Sequence, residues 1–191
     1  GGRDPRACPR REGRGPPAAP QPTLPPTASE AARFLTQATF GATDDSIAAV
    51  RSQGYGDWID QQLVMPVSGS HVDFMTARRA LPGAPNPSVN EFYGSFWQQA
   101  VTAPDQLRQR VKLALSEIFV ISVTDTHVDE LGAASFYDML GANAFGNFRT
   151  LLEQVTLHPM MGTYLTWLAN QKEDPTAGRH PDENYAGEVM R

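Results

Sequence analysis

A single cysteine, Cys8, stands in a chain of 191 residues. That scarcity excludes an intramolecular disulfide and any metal site built on several thiolates. Long apolar runs are missing as well: no window approaches the ~20 residues that a membrane-spanning helix needs. The residues around Cys8, GGRDPRAC, lack the apolar stretch of a secretory signal or a lipoprotein leader. Because the chain opens with Gly-Gly rather than Met, either a leader is expected outside it or its start is a fragment boundary. There is no Ser nucleophile elbow, P-loop or dinucleotide fingerprint, and no HExxH or EF-hand loop. Nor is there a period-2 alternation long enough for a sheet, or an internal repeat.

What is present divides unevenly. Residues 1–26 carry Arg3, Arg6, Arg10, Arg11 and Arg14 against Asp4 and Glu12, a net +3, and hold eight of the sixteen prolines. The rest must then carry −8 of the overall −5. A segment with so little apolar surface cannot offset its ordering entropy, so 1–26 is expected to be a disordered tail or linker. An Arg-rich run attracts phosphates, but this one has no aromatic ring for a base to stack on and an acidic body behind it. No nucleic-acid partner is expected.

From Thr27 onward the pattern is helical. TASE, Thr27 to Glu30, fits a capping box, with Ala31, Phe34, Leu35 and Ala38 following at helical spacing and Gly41 as a stop. Thr43 opens a second helix that ends at Gly54, and Asp57 to Val64 forms a third, short piece. Further helices are predicted around Val72 to Ala80 and from Ser88 to beyond Val101. Pro104 stands where the next would begin, its missing N–H costing nothing in a first turn. That segment, DQLRQRVKLALSEIFVIS, offers Leu107, Val111, Ala114, Leu115, Ile118 and Phe119 to the core. Asp129 to Ala144 and Asn147 to Leu157 read as two helices parted by Gly146, and MMGTYLTWLA as a last amphipathic stretch before a polar loop. The expected fold is all-α, an irregular multi-helix array behind a Pro/Arg-rich tail.

Four of these segments come in an order that marks a family: ARFLTQATFGAT, RQRVKLALSEIFVIS, AFGNFRTLLEQVTLHPMMGTYL and GRHPDENYA. Together they resemble the bacterial domain-of-unknown-function family 1800, over roughly everything after residue 27. The resemblance implies a large, mostly helical, exported protein, periplasmic or secreted. It also implies a gene often placed beside a second family similar to sulfatases and alkaline phosphatases, and brings no mechanism with it. Members usually continue the last motif as NYARE with an apolar segment behind it. Here Gly187 replaces the Arg and Arg191 takes a place usually held by Gln. Residues 27–191 are therefore expected to be the N-terminal part of a helical domain, truncated at its C-terminal end.

The candidate site residues are His158, His180, Asp182, Glu183, Asn184 and Glu188. Pro181, Asp182 and Glu183 suit the first turn of a helix, the acids facing its positive end. Beside that bland reading stands a functional one. Asn184 and Glu188, four apart, share a helical face, and His180 with Asp182 can approach the same pocket. These residue types also suit a divalent ion, although their spacing matches no metal signature, so metal and cofactor stay unknown. His158 before Pro159 can cap the last helical turn, favourably when protonated. Arg149 and Glu153, four apart, suggest an ordinary ion pair. Arg33, Arg108 and Arg110 read as snorkelling at the core's edge, His71 and His127 as surface residues, and Trp58, Trp97 and Trp167 as core.

Three functions remain open. The first is an exported helical protein that assists the sulfatase-like neighbour or binds an extracellular polymer. The second is a metal-assisted hydrolase whose His/Asp/Glu site is completed by residues beyond this chain. The third is a structural helical scaffold, in which the polar loop 170–180 is dispensable. Whether the protein is an enzyme is left open.

Overall fold

A computed structural model describes residues 25–83 and 88–190. The expected disordered tail therefore lies outside the described residues except for its last two. Among the described residues there are nine helices, and the only β-type pairing is an isolated bridge between Asp174 and Arg179. No helix among them is long and apolar enough to cross a membrane.

The first helix, α1 (Ala28–Ala38), starts at the expected capping box: Glu30 N–H donates to Thr27 Oγ1, and Thr27 N–H donates to the Glu30 carboxylate. The second, α2 (Asp44–Val64), is capped by Thr43 in the same way, with Ser46 as the reciprocal partner. It breaks at Gly54, whose φ of 84° and ψ of 170° are open to glycine alone. The two pieces on either side are those the sequence separates. Helices α3 (His71–Arg79), α4 (Val89–Thr102), α5 (Gln106–Ile118), α6 (Glu130–Ala142), α7 (Phe148–Leu157), α8 (Pro159–Tyr164) and α9 (Asn184–Met190) complete the array.

Three apolar clusters hold it together. Ala31, Leu35, Val50 and Trp58 join α1 to both halves of α2. Met75, Phe92 and Ala134 join α3, α4 and α6. Phe136, Leu140, Leu151, Val155 and Met161 join α6, α7 and α8. Each large side chain fully removed from water contributes about 1.5–3 kcal/mol. Helix α5 touches α1, α2, α4 and α6, and it is the element the sequence reading most misjudged.

Its buried residues are Arg108, Gln109, Lys112 and Ser116, preceded by the buried N-cap Asp105. These recur at helical spacing and form a polar stripe that faces inward. Ala114 is exposed and Ile118 is 68% exposed, contrary to the expected apolar core face, whereas Leu107, Leu115 and Phe119 do pack against the apolar clusters from half-buried positions, and Val111 is half-buried. The physical reason is that the two cations find partners outside α5, Arg108 at the Met65 and Gly141 carbonyls and Lys112 at His71 and Gln99. Gln109 and Ser116 are bonded within the helix and its N-cap. These bonds offset their desolvation.

Other expectations are corrected too. Pro104 precedes the N-cap Asp105 rather than occupying the first turn of α5. Likewise Pro181, Asp182 and Glu183 precede α9, which begins at Asn184. His71 and Arg108 are buried, whereas Trp97 is 55% exposed. No ion pair joins Arg149 and Glu153 among the described residues; both side chains are exposed, where such a pair stabilises little.

Candidate functional site

The C-terminal candidates gather around the start of α9. Asp182 is held from three directions: its Oδ1 accepts from Asn184 N–H at 2.9 Å, its Oδ2 accepts from Thr166 Oγ1 at 2.8 Å, and its backbone exchanges two 2.8 Å hydrogen bonds with the Asn170 amide. The donors from Asn184 and Thr166 hold its carboxyl below the usual carboxylate range. Thr166 sits at φ 62°, a left-handed backbone that directs the chain from α8 back toward this turn. Asn184 Nδ2 lies 3.5 Å from Thr166 Oγ1. His180 faces Glu173 at 3.6 Å, both largely exposed. The Glu183 carbonyl accepts from Gly187 N–H in the first turn of α9.

His180, Asp182, Glu183, Asn184 and Glu188 all line one open depression of about 1140 Å³. His158 is not among its lining residues. That histidine closes α7 and opens α8: its Nδ1 accepts from Met160 N–H at 3.2 Å, its Nε2 lies 3.4 Å from Ser135 Oγ, and its ring meets Phe136 edge-on. It therefore caps the helix that follows, as an acceptor, rather than the helix that ends there. Burial lowers its pKa, in keeping with the neutral ring that an accepting nitrogen requires. No three His, Cys, Asp or Glu among the described residues are grouped to hold a metal ion.

A second polar cluster lies inside. Lys112 Nζ on α5 is 2.8 Å from His71 Nε2 on α3 and 3.3 Å from Gln99 Oε1 on α4. His71 Nδ1 is 2.8 Å from Ser95 Oγ. The ammonium has only protons to give, so it donates to a neutral His71, whose own proton then sits on Nδ1 and points to Ser95. Burial, then the Lys112 charge, pushes the His71 pKa down to about 3. Burial pushes Lys112 down to about 8, against the pull of Asp138 and Asp105. At neutral pH the pair is a charged lysine against an uncharged histidine.

Asp138 on α6 completes this cluster from the fourth side. Its carboxylate accepts from Ser70 Oγ at 2.6 Å and from the N–H groups of His71 and Val72 at 2.7 and 3.1 Å. The first turn of α3 thus has its free donors satisfied by another helix. Two turns before Lys112, at the N-cap of α5, Asp105 accepts from Ser68 N–H and Oγ and from Gln109 Nε2. Arg108 donates to the carbonyls of Gly141 and Met65, and its guanidinium lies 4.6 Å from the Phe145 ring centroid. Its Nε comes within 3.5 Å of Asp105 without forming a hydrogen bond.

An amine beside an imidazole is chemistry fit for proton transfer, but His71 and Lys112 are closed to solvent. As they stand, they tie α3, α4, α5 and α6 together. Sequence reasoning missed them because it placed His71 on the surface and α5's apolar side inward. The spacing of Asp105, Arg108, Gln109, Lys112 and Ser116 was the available signal.

The family model described as "Protein of unknown function (DUF1800)" matches residues 33–191. The chain belongs to this family. Neither a curated protein nor a solved structure matches it. The DUF1800 match begins within α1 and takes in both the buried cluster and the depression beside α9.

Proposed function

We propose that this DUF1800 chain is an exported helical protein that assists a sulfatase-like hydrolase encoded nearby or binds an extracellular polymer. The supporting observation is an apolar cleft of about 490 Å³ between the end of α5 and helices α7, α8 and α9. Phe119, Phe148, Leu152, Tyr164, Leu165 and Val189 are among its walls. Ile118 and Phe148 stand at 68% and 66% exposure, and Leu157 on α7 is as open. Contiguous exposed apolar surface of this kind marks protein contact sites, whose buried centres are aromatic and poor in charge. The cleft favours a protein partner over a charged polymer.

Co-purification of the full-length protein with its sulfatase-like neighbour tests the reading, with Ile118→Asp and Phe148→Asp as variants. Association that either variant weakens at least tenfold is expected. Reproducible failure of the wild-type pair to associate overturns assistance. Placement outside the cytoplasm belongs to the same proposal, and fractionation of cells producing the full-length protein tests it.

Metal-assisted hydrolysis is the second reading, supported by the way five of the six candidate residues line one depression. Metal analysis of the full-length protein, alongside a His180→Ala, Glu183→Ala double variant, tests it. An undiminished hydrolytic activity in the variant, with no metal bound to the wild type, sinks it.

A further inference from the structure

A pocket of about 310 Å³ opens where the end of α1, both halves of α2 and the α4–α5 corner meet. None of its thirteen lining side chains is charged, in a chain whose residues are 19% charged. Two aromatic rings, Phe40 and Trp58, form part of the wall. The amides of Gln62 and Gln106 are fixed across it: Gln62 joins Pro104 carbonyl to Leu107 N–H, and Gln106 joins Phe40 N–H to the carbonyls of Ala100 and Ala103. The hydroxyls of Thr43, which is exposed, and Ser46, which is half-buried, also line the wall, tied to each other in the cap of α2.

The rim extends along α4. Val101 lines the pocket and is exposed. Trp97, four residues earlier and so on the same helical face, is exposed and meets Phe40 edge-to-face at 6.2 Å. Tyr93, four residues earlier again, is also exposed. Arg110 is occupied beside this surface, donating to the Gln37 carbonyl and lying 5.1 Å from the Phe40 ring centroid. Immediately beyond Thr43, Asp44 and Asp45 open α2 with two acids.

We infer that this pocket and the Trp97 rim bind a neutral glycan chain. A sugar ring presents weakly positive C–H groups on its faces and hydroxyls around its edge. The C–H face suits the negative face of an aromatic ring. The hydroxyls can donate to the second lone pairs of the Gln62 and Gln106 amide oxygens and of the Thr43 and Ser46 hydroxyls, the amide N–H groups being spent within the protein. Rings with a few fixed polar groups and no formal charge are the lining that such a ligand needs. Asp44 and Asp45, next in the chain to the lining residue Thr43, would oppose a sulfated or carboxylated chain, two acids against the nearby cation Arg110, whose guanidinium is engaged by Gln37 and Phe40. The inference deepens the polymer-binding half of the proposed function and names its ligand class. It uses a surface away from the α5–α7–α9 cleft.

The test measures binding of the full-length protein to cellotetraose, laminaritetraose, chitotetraose and maltotetraose, with a chondroitin sulfate tetrasaccharide as the charged counterpart. Tryptophan fluorescence gives the signal, since Trp58 and Trp97 flank the site. At least one neutral oligosaccharide is expected to bind, and Trp97→Ala and Val101→Glu are each expected to weaken it tenfold or more. Both positions are exposed, so helix content and melting temperature should match wild type. Three results overturn the inference: no neutral oligosaccharide binding, equal binding of the sulfated one, or binding that neither variant weakens. Co-purification with the sulfatase-like neighbour is scored separately, so loss of glycan binding with association retained rejects this site alone.

Discussion

Lys112 Nζ and His71 Nε2 are 2.8 Å apart, and both residues are almost wholly removed from water. The contact is stable only while the histidine is neutral, because protonation would set two cations against each other at hydrogen-bonding distance.

That relation makes stability depend on pH in a definite direction. His71 titrates near 3 when folded and near 6.5 when unfolded, so between those values the unfolded chain binds the extra proton. Its contribution is fully present above pH 6.5 and is lost as pH falls toward 3, by at most about 1.4 kcal/mol per pH unit. Lys112, lowered from 10.5 to about 8, adds a second limb in which stability rises between pH 8 and 10.5. Urea denaturation across pH 3–11 should show both limbs. Lys112→Met should raise the His71 pKa and so flatten the acid limb.

Asp138 supplies the cap that α3 receives from α6. Asp138→Ala leaves Ser70 Oγ and the N–H groups of His71 and Val72 without their acceptor. Chemical denaturation should record a loss of about 1–3 kcal/mol. Asp138→Asn keeps one acceptor oxygen and should recover part of it.

Arg108 holds two carbonyls that are far apart in sequence, those of Met65 and Gly141. A lysine there keeps the charge but loses the planar fork and its place over Phe145. Arg108→Lys should therefore cost roughly 1–3 kcal/mol, and thermal melting at neutral pH will measure it.

Gly54 carries the break in α2 on a backbone that an L side chain avoids. No atom lies close enough to clash with an added Cβ, so any effect of Gly54→Ala reports backbone strain alone. About 1–3 kcal/mol of destabilisation is expected. A variant as stable as wild type would mean that the two pieces of α2 can join differently.

What could be read from the residues was what short-range chemistry decides. The Thr27 capping box, the stop at Gly54 and the Asn147 start of α7 each depend on partners within a few positions, and each stands where the pattern placed it. The inward charges of α5 and its N-cap did not, because their partners are remote: Ser68 lies 37 residues from Asp105, His71 lies 41 from Lys112 and Met65 lies 43 from Arg108. An apolar count favours the wrong side of such a helix, since it cannot foresee which polar groups will meet. Trp97 erred the other way, an apolar residue on an apolar stripe that the neighbouring helices leave uncovered. The cluster around Asp182 was legible as composition, but its attachment to Thr166 and Asn170 was not.

The polar inner arc of α5 reaches further than its own hydrogen bonds. A helix has one circumference, and giving its centre-facing arc to Arg108, Gln109, Lys112 and Ser116 turns Ile118 outward at the point where the cleft opens. Internal wiring and external adhesiveness are thus two sides of a single rotation about the helix axis. Rolling α5 to bury Ile118 would swing Lys112 and Arg108 outward and leave His71, Gln99 and the Met65 and Gly141 carbonyls without their partners.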